Sequence, residues 1–370
     1  MTGAQKVVRA LAARKGPTSQ WIVGEPCVSP PDALQQALGR AAEKTAYPYS
    51  PLAGLPELRE LLATRHIEGG IPLRAENIVV TGGAKAGLLA LLASLLEPGD
   101  ELIHPIPYYP AYPSMARRLG ACPVAVPEND GSFEGWTQAV ERNITHRTRA
   151  VVLSSPSNPT GATLDSEQSR ELVDLCRDRG LRLICDEAYV DFRYSPSCES
   201  LPAEFDPSRE TVIQLRSASK SWALCGWRVG WVAADTETAA RVASTHAALI
   251  NPAPGPAQEA MVSLGEIPSE YLTNARAVVE DRITELCALL QERDLAVRRP
   301  SGGFYLWIDL SQLAGERGVE EFCVDLANRF GVGLWPGEDF GGASHARIAV
   351  TSPSEQDWMT AVKILATSLE

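Results

Sequence analysis

The stretch Val212-Ile213-Gln214-Leu215-Arg216-Ser217-Ala218-Ser219-Lys220, continued by Gly226, Arg228 and Gly230, decides the fold. An apolar strand ends at Leu215 and passes the chain to a loop carrying a lysine, two small hydroxyls and an arginine. In open, mostly parallel α/β sheets, ligands lie outside the carboxyl ends of the strands, so this lysine leaves the sheet where a ligand would sit. Ser217, Ser219 and Arg228 offer the donors and the fixed positive charge that a phosphate requires. A lone lysine after a strand reads as solvated surface, and what changes the reading is that the arrangement recurs.

Upstream, Asp186-Glu187-Ala188-Tyr189 follows the apolar run from Leu181 to Cys185. A carboxylate at a strand end reaches into the same cleft and can keep a heterocyclic nitrogen protonated, although capping a turn is the simpler role. Ser157-Asn158-Pro159-Thr160-Gly161 follows the run from Ala150 to Leu153 and reads as a turn. Thr81-Gly82-Gly83-Ala84-Lys85 lies between a strand at Asn77 to Val80 and an apolar helix from Ala84 to Leu96, where glycines let backbone N–H groups approach an anion. The spacing is not that of a nucleoside-triphosphate loop. Tyr109, in Pro107-Tyr108-Tyr109-Pro110, could stack on a planar group or pack in a core.

Between these loops, apolar runs alternate with amphipathic stretches. The runs include Glu101 to His104 and Val229 to Ala233, and the amphipathic stretches include Glu167 to Arg179 and Glu237 to Leu249. This is the pattern of an α/β unit, a mostly parallel sheet flanked by helices. After Ser269 the pattern becomes a long helix from Tyr271 to Arg293, a strand from Gly303 to Leu310, a helix from Val319 to Phe330 and a strand from Ala346 to Val350. That predicts a smaller α+β unit completed by the chain's beginning, through a helix from Gln5 to Arg14 and the segment from Asp32 to Glu43. The expected division is 1–44 and 266–370 for the small unit and 45–265 for the large one.

A formal net charge of −12 argues against nucleic-acid binding, which needs a basic face. No apolar run approaches the roughly 18 residues that cross a bilayer, and no signal segment is visible. None of the eight cysteines forms a Cys-x-x-Cys pair, which predicts a reducing, cytoplasmic setting. The five histidines show no metal-ligand spacing, so no metal is expected.

These motifs, in this order from Gly24 to Arg347, resemble the class I and II aminotransferases of fold type I, the aspartate aminotransferase superfamily. The resemblance implies pyridoxal 5′-phosphate as cofactor. It makes Lys220 the Schiff-base lysine, Asp186 the partner of the pyridine nitrogen, and Tyr189 and Asn158 the donors to the ring hydroxyl. Ser217, Ser219 and Arg228, with the backbone of Gly83, Ala84 and Lys85, become the phosphate cup, and Tyr109 the stacking aromatic. Gly24 and Arg347 fall where the family places the substrate, Arg347 taking its α-carboxylate. Tyr49 aligns with a tyrosine that reaches the phosphate of the neighbouring subunit, which implies a homodimer. The implied reaction is transamination between an L-amino acid and a 2-oxo acid. The same motifs also serve elimination, replacement or cyclisation chemistry, for instance on S-adenosylmethionine. Lys85 could meet a distal substrate carboxylate or remain in water.

Overall fold

The computed structural model describes residues 1–68, 70–129, 131–194, 211–350 and 355–369. The chain opens with α1 (Gly3–Ala13), β1 (Ser19–Gln20), α2 (Asp32–Ala42) and α3 (Pro56–Glu68), then builds its main sheet. The strands are β2 (Ile78–Thr81), β3 (Glu101–Ile106), β4 (Cys122–Pro127), β5 (Thr148–Ser154), β6 (Arg182–Asp186), β7 (Val212–Ser217) and β8 (Gly230–Ala233). Between them run α4 (Ala84–Leu95), α5 (Ala111–Arg118), α6 (Trp136–Asn143), α7 (Ser166–Asp178) and the one-turn α8 (Ala218–Ser221).

Successive strand residues point to opposite faces, and here both faces are buried. Ile103, Val151 and Leu183 share a core with Leu58 and Leu62 of α3, Trp136 of α6 and Leu172 of α7. Their neighbours Leu102, Val152 and Ile184 pack instead with Leu88 of α4, Met115 of α5 and Val242 of a later helix, α9 (Thr236–Ile250). This double burial explains why the strands read as continuous apolar runs rather than as alternating ones.

The strand order is β2-β8-β7-β6-β5-β3-β4. Only β8 runs against its neighbours, being antiparallel to both β2 and β7. The carboxyl ends of β2, β3, β5, β6 and β7 therefore share one edge, and the reversed β8 brings its beginning, with Arg228 and Gly230, to that same edge. The edge strand β4 was not among the expected strands. Its two prolines, Pro123 and Pro127, obscure the pattern, and an edge is where a sheet tolerates them.

After α9 come α10 (Gly255–Met261), the 22-residue α11 (Glu270–Gln291), β9 (Tyr305–Asp309), α12 (Ser311–Ala314) and α13 (Val319–Phe330). The chain closes with β10 (Val332–Gly333), β11 (Trp335–Pro336), β12 (His345–Ala349) and α14 (Glu355–Ser368). Strands β11, β12 and β9 form an antiparallel sheet in that order, while β1 pairs in parallel with β10. Val279, Ile283, Leu286 and Leu290 make the apolar stripe of α11, and it packs with Val7 and Leu11 of α1, Phe322 of α13 and Trp358 of α14. The N-terminal helix thus packs in the core of the smaller sheet.

The segment 32–42 does not, which corrects its expected grouping. Leu34 of α2 is buried in the core that holds Leu58, Ala257, Met261 and Leu264, on the side of the large sheet. The helix has the amphipathic pattern, but periodicity does not say which neighbour receives the apolar face. Among the described residues, no helix is long and apolar enough to cross a membrane.

Candidate active site

The shared carboxyl edge of the main sheet faces the start of β1's connection, β9, β11 and β12, and a cavity of about 410 Å³ opens between them. Lys220, Asp186, Tyr189, Asn158, Ser217, Ser219, Arg228, Ala84, Lys85, Tyr109, Gly24 and Arg347 all line it. Gly83 stands directly behind Arg228. Like Gly83, Tyr49 is not among the lining residues, and it is 84% exposed.

Lys220 sits on the single turn α8, started by Ser217, whose Oγ accepts from the Ser219 N–H at 3.2 Å. Lys220 Nζ donates to the carbonyl oxygen of Gly24 and lies 3.9 Å from Cys225 Sγ. A side chain on Gly24 could not coexist with this arrangement, because a Cβ there would fall 1.9 Å from the hydroxyl of Tyr305.

Asp186 ends β6. Its Oδ2 accepts from the Tyr112 hydroxyl at 3.0 Å and its Oδ1 from the Ala188 N–H at 3.2 Å. Burial pushes its carboxyl up to about 6, against the pull of those two hydrogen bonds and of Lys220. Tyr189 and Tyr305 share a hydrogen bond of 2.7 Å between their hydroxyls, and burial raises the pKa of Tyr189.

Arg347, in the middle of β12, is 2% exposed. One terminal nitrogen donates to Asn158 Oδ1 at 2.8 Å and the other to the carbonyl of Ile22, while Nε–H has no partner among the described residues. Its guanidinium carbon lies 4.1 Å from the ring centre of Tyr305, 4.5 Å from Trp335 and 5.1 Å from Phe340. No carboxylate pairs with it among the described residues. A buried cation held only by carbonyls and ring faces is costly until an anion arrives, and its planar fork suits a carboxylate.

The opposite end of the cavity is built for a different anion. Helix α4 begins at Gly83, which has φ +88° and no capping side chain, so the first N–H groups of the helix face the cavity unclaimed by any side-chain cap. A Cβ on Gly83 would come within 2.4 Å of Arg228 Nη2, and one on Gly230 within 2.5 Å of the Ala84 nitrogen. Arg228 itself has φ +57° and donates to the Cys225 carbonyl at 2.8 Å. Ser217, Ser219 and the side of Arg228 complete a concave set of donors that matches a phosphate.

Sequence reading missed several contributors. Tyr112 lies one helical turn beyond Tyr109, a spacing that could have drawn attention to it. Tyr305 follows Gly302-Gly303-Phe304 at the start of a strand, without a distinguishing signal. His246 accepts from the Gly82 N–H at 3.0 Å and so braces the glycine loop from α9; only the fold brings them together.

Comparison with known proteins agrees with this geometry. Residues 19–365 match the family model for aminotransferase class I and II. The aspartate/prephenate aminotransferase of Thermus thermophilus is 32% identical over 342 residues, covering 90% of this chain and 86% of that protein. The aspartate aminotransferase of Pyrococcus horikoshii is 30% identical over 348 residues, again with 90% and 86% coverage. A solved structure of a Thermus thermophilus aspartate aminotransferase single mutant superposes with a TM-score of 0.91 at 30% identity, covering 100% of this chain and 97% of that one. The chain therefore belongs to the class I and II aminotransferases of fold type I, transferases that depend on pyridoxal phosphate.

Proposed function

We propose that the cavity binds pyridoxal phosphate through Lys220 and transfers the α-amino group of an acidic L-amino acid to a 2-oxo acid. The observation that carries this reading is Arg347: a buried guanidinium whose Nε–H and charge find no hydrogen-bond or carboxylate partner among the described residues, in one cavity with Lys220 and the buried Asp186. The cofactor fits on three counts. The start of α4 with Ser217, Ser219 and Arg228 suits its phosphate, Asp186 meets a ring cation, and Tyr109 offers a ring face.

When bound, pyridoxal phosphate supplies an aldehyde that condenses with amines and a protonated ring that accepts the electron pair left at the substrate's α-carbon. Lys220 Nζ would hold the cofactor's aldehyde carbon and, as a free amine, would take the proton from the substrate's Cα. The Gly24 carbonyl steadies Nζ when it is charged. Arg347 accepts the α-carboxylate with its remaining donors, which fixes how the amino acid presents Cα to Lys220. Asn158 Oδ1 is committed to Arg347, so its amide N–H groups and the Tyr189 hydroxyl are left to hydrogen-bond the ring hydroxyl. Asp186, kept in place by Tyr112 and Ala188, would accept a hydrogen bond from a protonated ring nitrogen.

An acidic substrate is supported by Lys85 among the residues lining the cavity and by the similarity to aspartate aminotransferases. A homodimer is supported by the exposed apolar residues Tyr49, Leu52, Leu249 and Ile250; Ile250 adjoins Gly82, at the phosphate end of the cavity. In that assembly Tyr49 reaches the phosphate held by the neighbouring copy.

The test is a single-turnover absorbance experiment: cofactor-loaded protein is mixed with L-aspartate, L-glutamate, L-alanine or L-arginine, without a 2-oxo acid. Conversion to the aminated cofactor with release of 2-oxo acid, fastest for an acidic donor, is expected. Conversion by none of them ends the reading, and equal rates for aspartate and alanine end its acidic-substrate part.

A further inference from the structure

We propose that Trp335 is a positioning residue for Arg347 and is tied through Asp339 to the start of α1, so that the grip on the substrate's α-carboxylate depends on the N-terminal helix. The inference rests on the reading of Arg347 given above.

Two observations meet at one carboxylate. Asp339 Oδ2 accepts from the indole N–H of Trp335 at 2.8 Å and from the Ala4 N–H at 2.9 Å, while its Oδ1 accepts from the Gly3 N–H at 3.1 Å. The first N–H groups of a helix have no partner inside it, and the Thr2 side chain of α1 serves only Gln5. Asp339 therefore caps α1 with both oxygens and anchors the indole with one of them, Oδ2. The helix start also presses on the residue after Trp335: a Cβ on Gly3 would lie 3.1 Å from Pro336 Cβ.

Trp335 in turn faces the arginine. It is the β-sheet neighbour of Arg347 across β11 and β12, with its ring 4.5 Å from the guanidinium carbon. Of the three rings around that cation, Tyr305 and Phe340 are buried at 2% and 0% exposure, whereas Trp335 is half-buried; Trp335 and Tyr305 both line the cavity. A cation with no ion-pair partner keeps its orientation through its hydrogen bonds and its ring contacts, so releasing the Trp335 ring loosens the fork before substrate arrives.

Steady-state kinetics on the cofactor-loaded enzyme, with its best amino donor, provide the test. Trp335→Leu should raise KM for the amino acid and the 2-oxo acid about tenfold, equivalent to about 1.4 kcal/mol. Its kcat should stay within about threefold, since the contact orients substrate before and during reaction alike. Trp335→Phe keeps a ring but loses the N–H and should fall between. Asp339→Ala should raise KM a few-fold in the wild-type background and add nothing to Trp335→Phe, because the tie is already cut there. An unchanged KM in Trp335→Leu, a loss confined to kcat, or multiplying effects of Asp339→Ala and Trp335→Phe would overturn the proposal. If Trp335→Leu does not fold, the latter pair decides. A wild type that turns over no amino acid removes the underlying reading as well, whereas an active wild type matched by Trp335→Leu removes this inference alone.

Discussion

Tyr112 donates its hydroxyl to Asp186 Oδ2 at 3.0 Å, and this bond opposes the burial that lifts the Asp186 carboxyl to about 6. A carboxyl raised from 3.8 in the unfolded chain binds its proton more tightly when folded. The stability it contributes is therefore complete below 3.8 and is lost as pH rises through about 6. In cofactor-free protein, the difference in unfolding free energy between wild type and Asp186→Asn should shift by about 3 kcal/mol across that window, the wild type losing ground as pH rises. Urea unfolding at a series of pH values measures it, and a flat difference contradicts the assignment. In the loaded enzyme the same substitution should lower kcat by about a hundredfold or more.

Lys220→Ala removes the amine that donates to the Gly24 carbonyl. Borohydride treatment of loaded wild type should attach the cofactor's mass to the peptide containing Lys220. In Lys220→Ala no attachment is expected, and turnover should fall by at least about a thousandfold. Attachment at another lysine would displace Lys220 from its role.

Asn158→Ala strips Arg347 of one of its two hydrogen-bond acceptors. Leaving a buried charged donor unpaired costs about 1–3 kcal/mol, so kcat/KM should fall about 10- to 100-fold, with a rise in substrate KM contributing. Kinetics of Asn158→Ala beside Asn158→Asp separate lost positioning from altered charge, since the aspartate would pair with Arg347 and compete with the substrate carboxylate.

Gly83→Ala tests the phosphate end alone. The added Cβ collides with Arg228 Nη2 and must adopt φ +88°, so the donor set opens or shifts. Cofactor affinity, measured by equilibrium dialysis, should weaken by about tenfold or more, while the kinetics of the fraction that stays loaded change little. An unaltered affinity would show that Gly83 does not shape that end.

Tyr49→Phe leaves the cavity of its own chain untouched, because Tyr49 is exposed. If the neighbouring copy receives it, cofactor affinity should still fall about tenfold, and sedimentation should give twice the chain mass. A fully active monomer, or a variant with wild-type affinity, counts against the shared site.

The main sheet could be read from the chain because its strands are buried on both faces and so appear as dense apolar runs bounded by loops. Asp186, Asn158 and Lys220 were legible for the same reason, each being the polar interruption where such a run ends. The reversal of β8 was not, since direction leaves no mark on an apolar run. The neighbours that tune the site were less visible still. Tyr112, Tyr305 and Trp335 are aromatic residues in apolar surroundings, and an aromatic that packs looks in sequence like an aromatic that orients a charge.

Local sequence settles what local forces control: where a strand must stop, where a glycine admits a left-handed turn, which residue can bear a charge. The placement of α2 beside α10, of His246 under Gly82, and of Asp339 between α1 and Trp335 depends on which surfaces meet after the chain has collapsed. Those contacts join residues up to 336 positions apart, and no periodicity within either segment encodes its partner. Only the packed tertiary structure selects them, because burial energy depends on the area two faces cover together and not on either face alone.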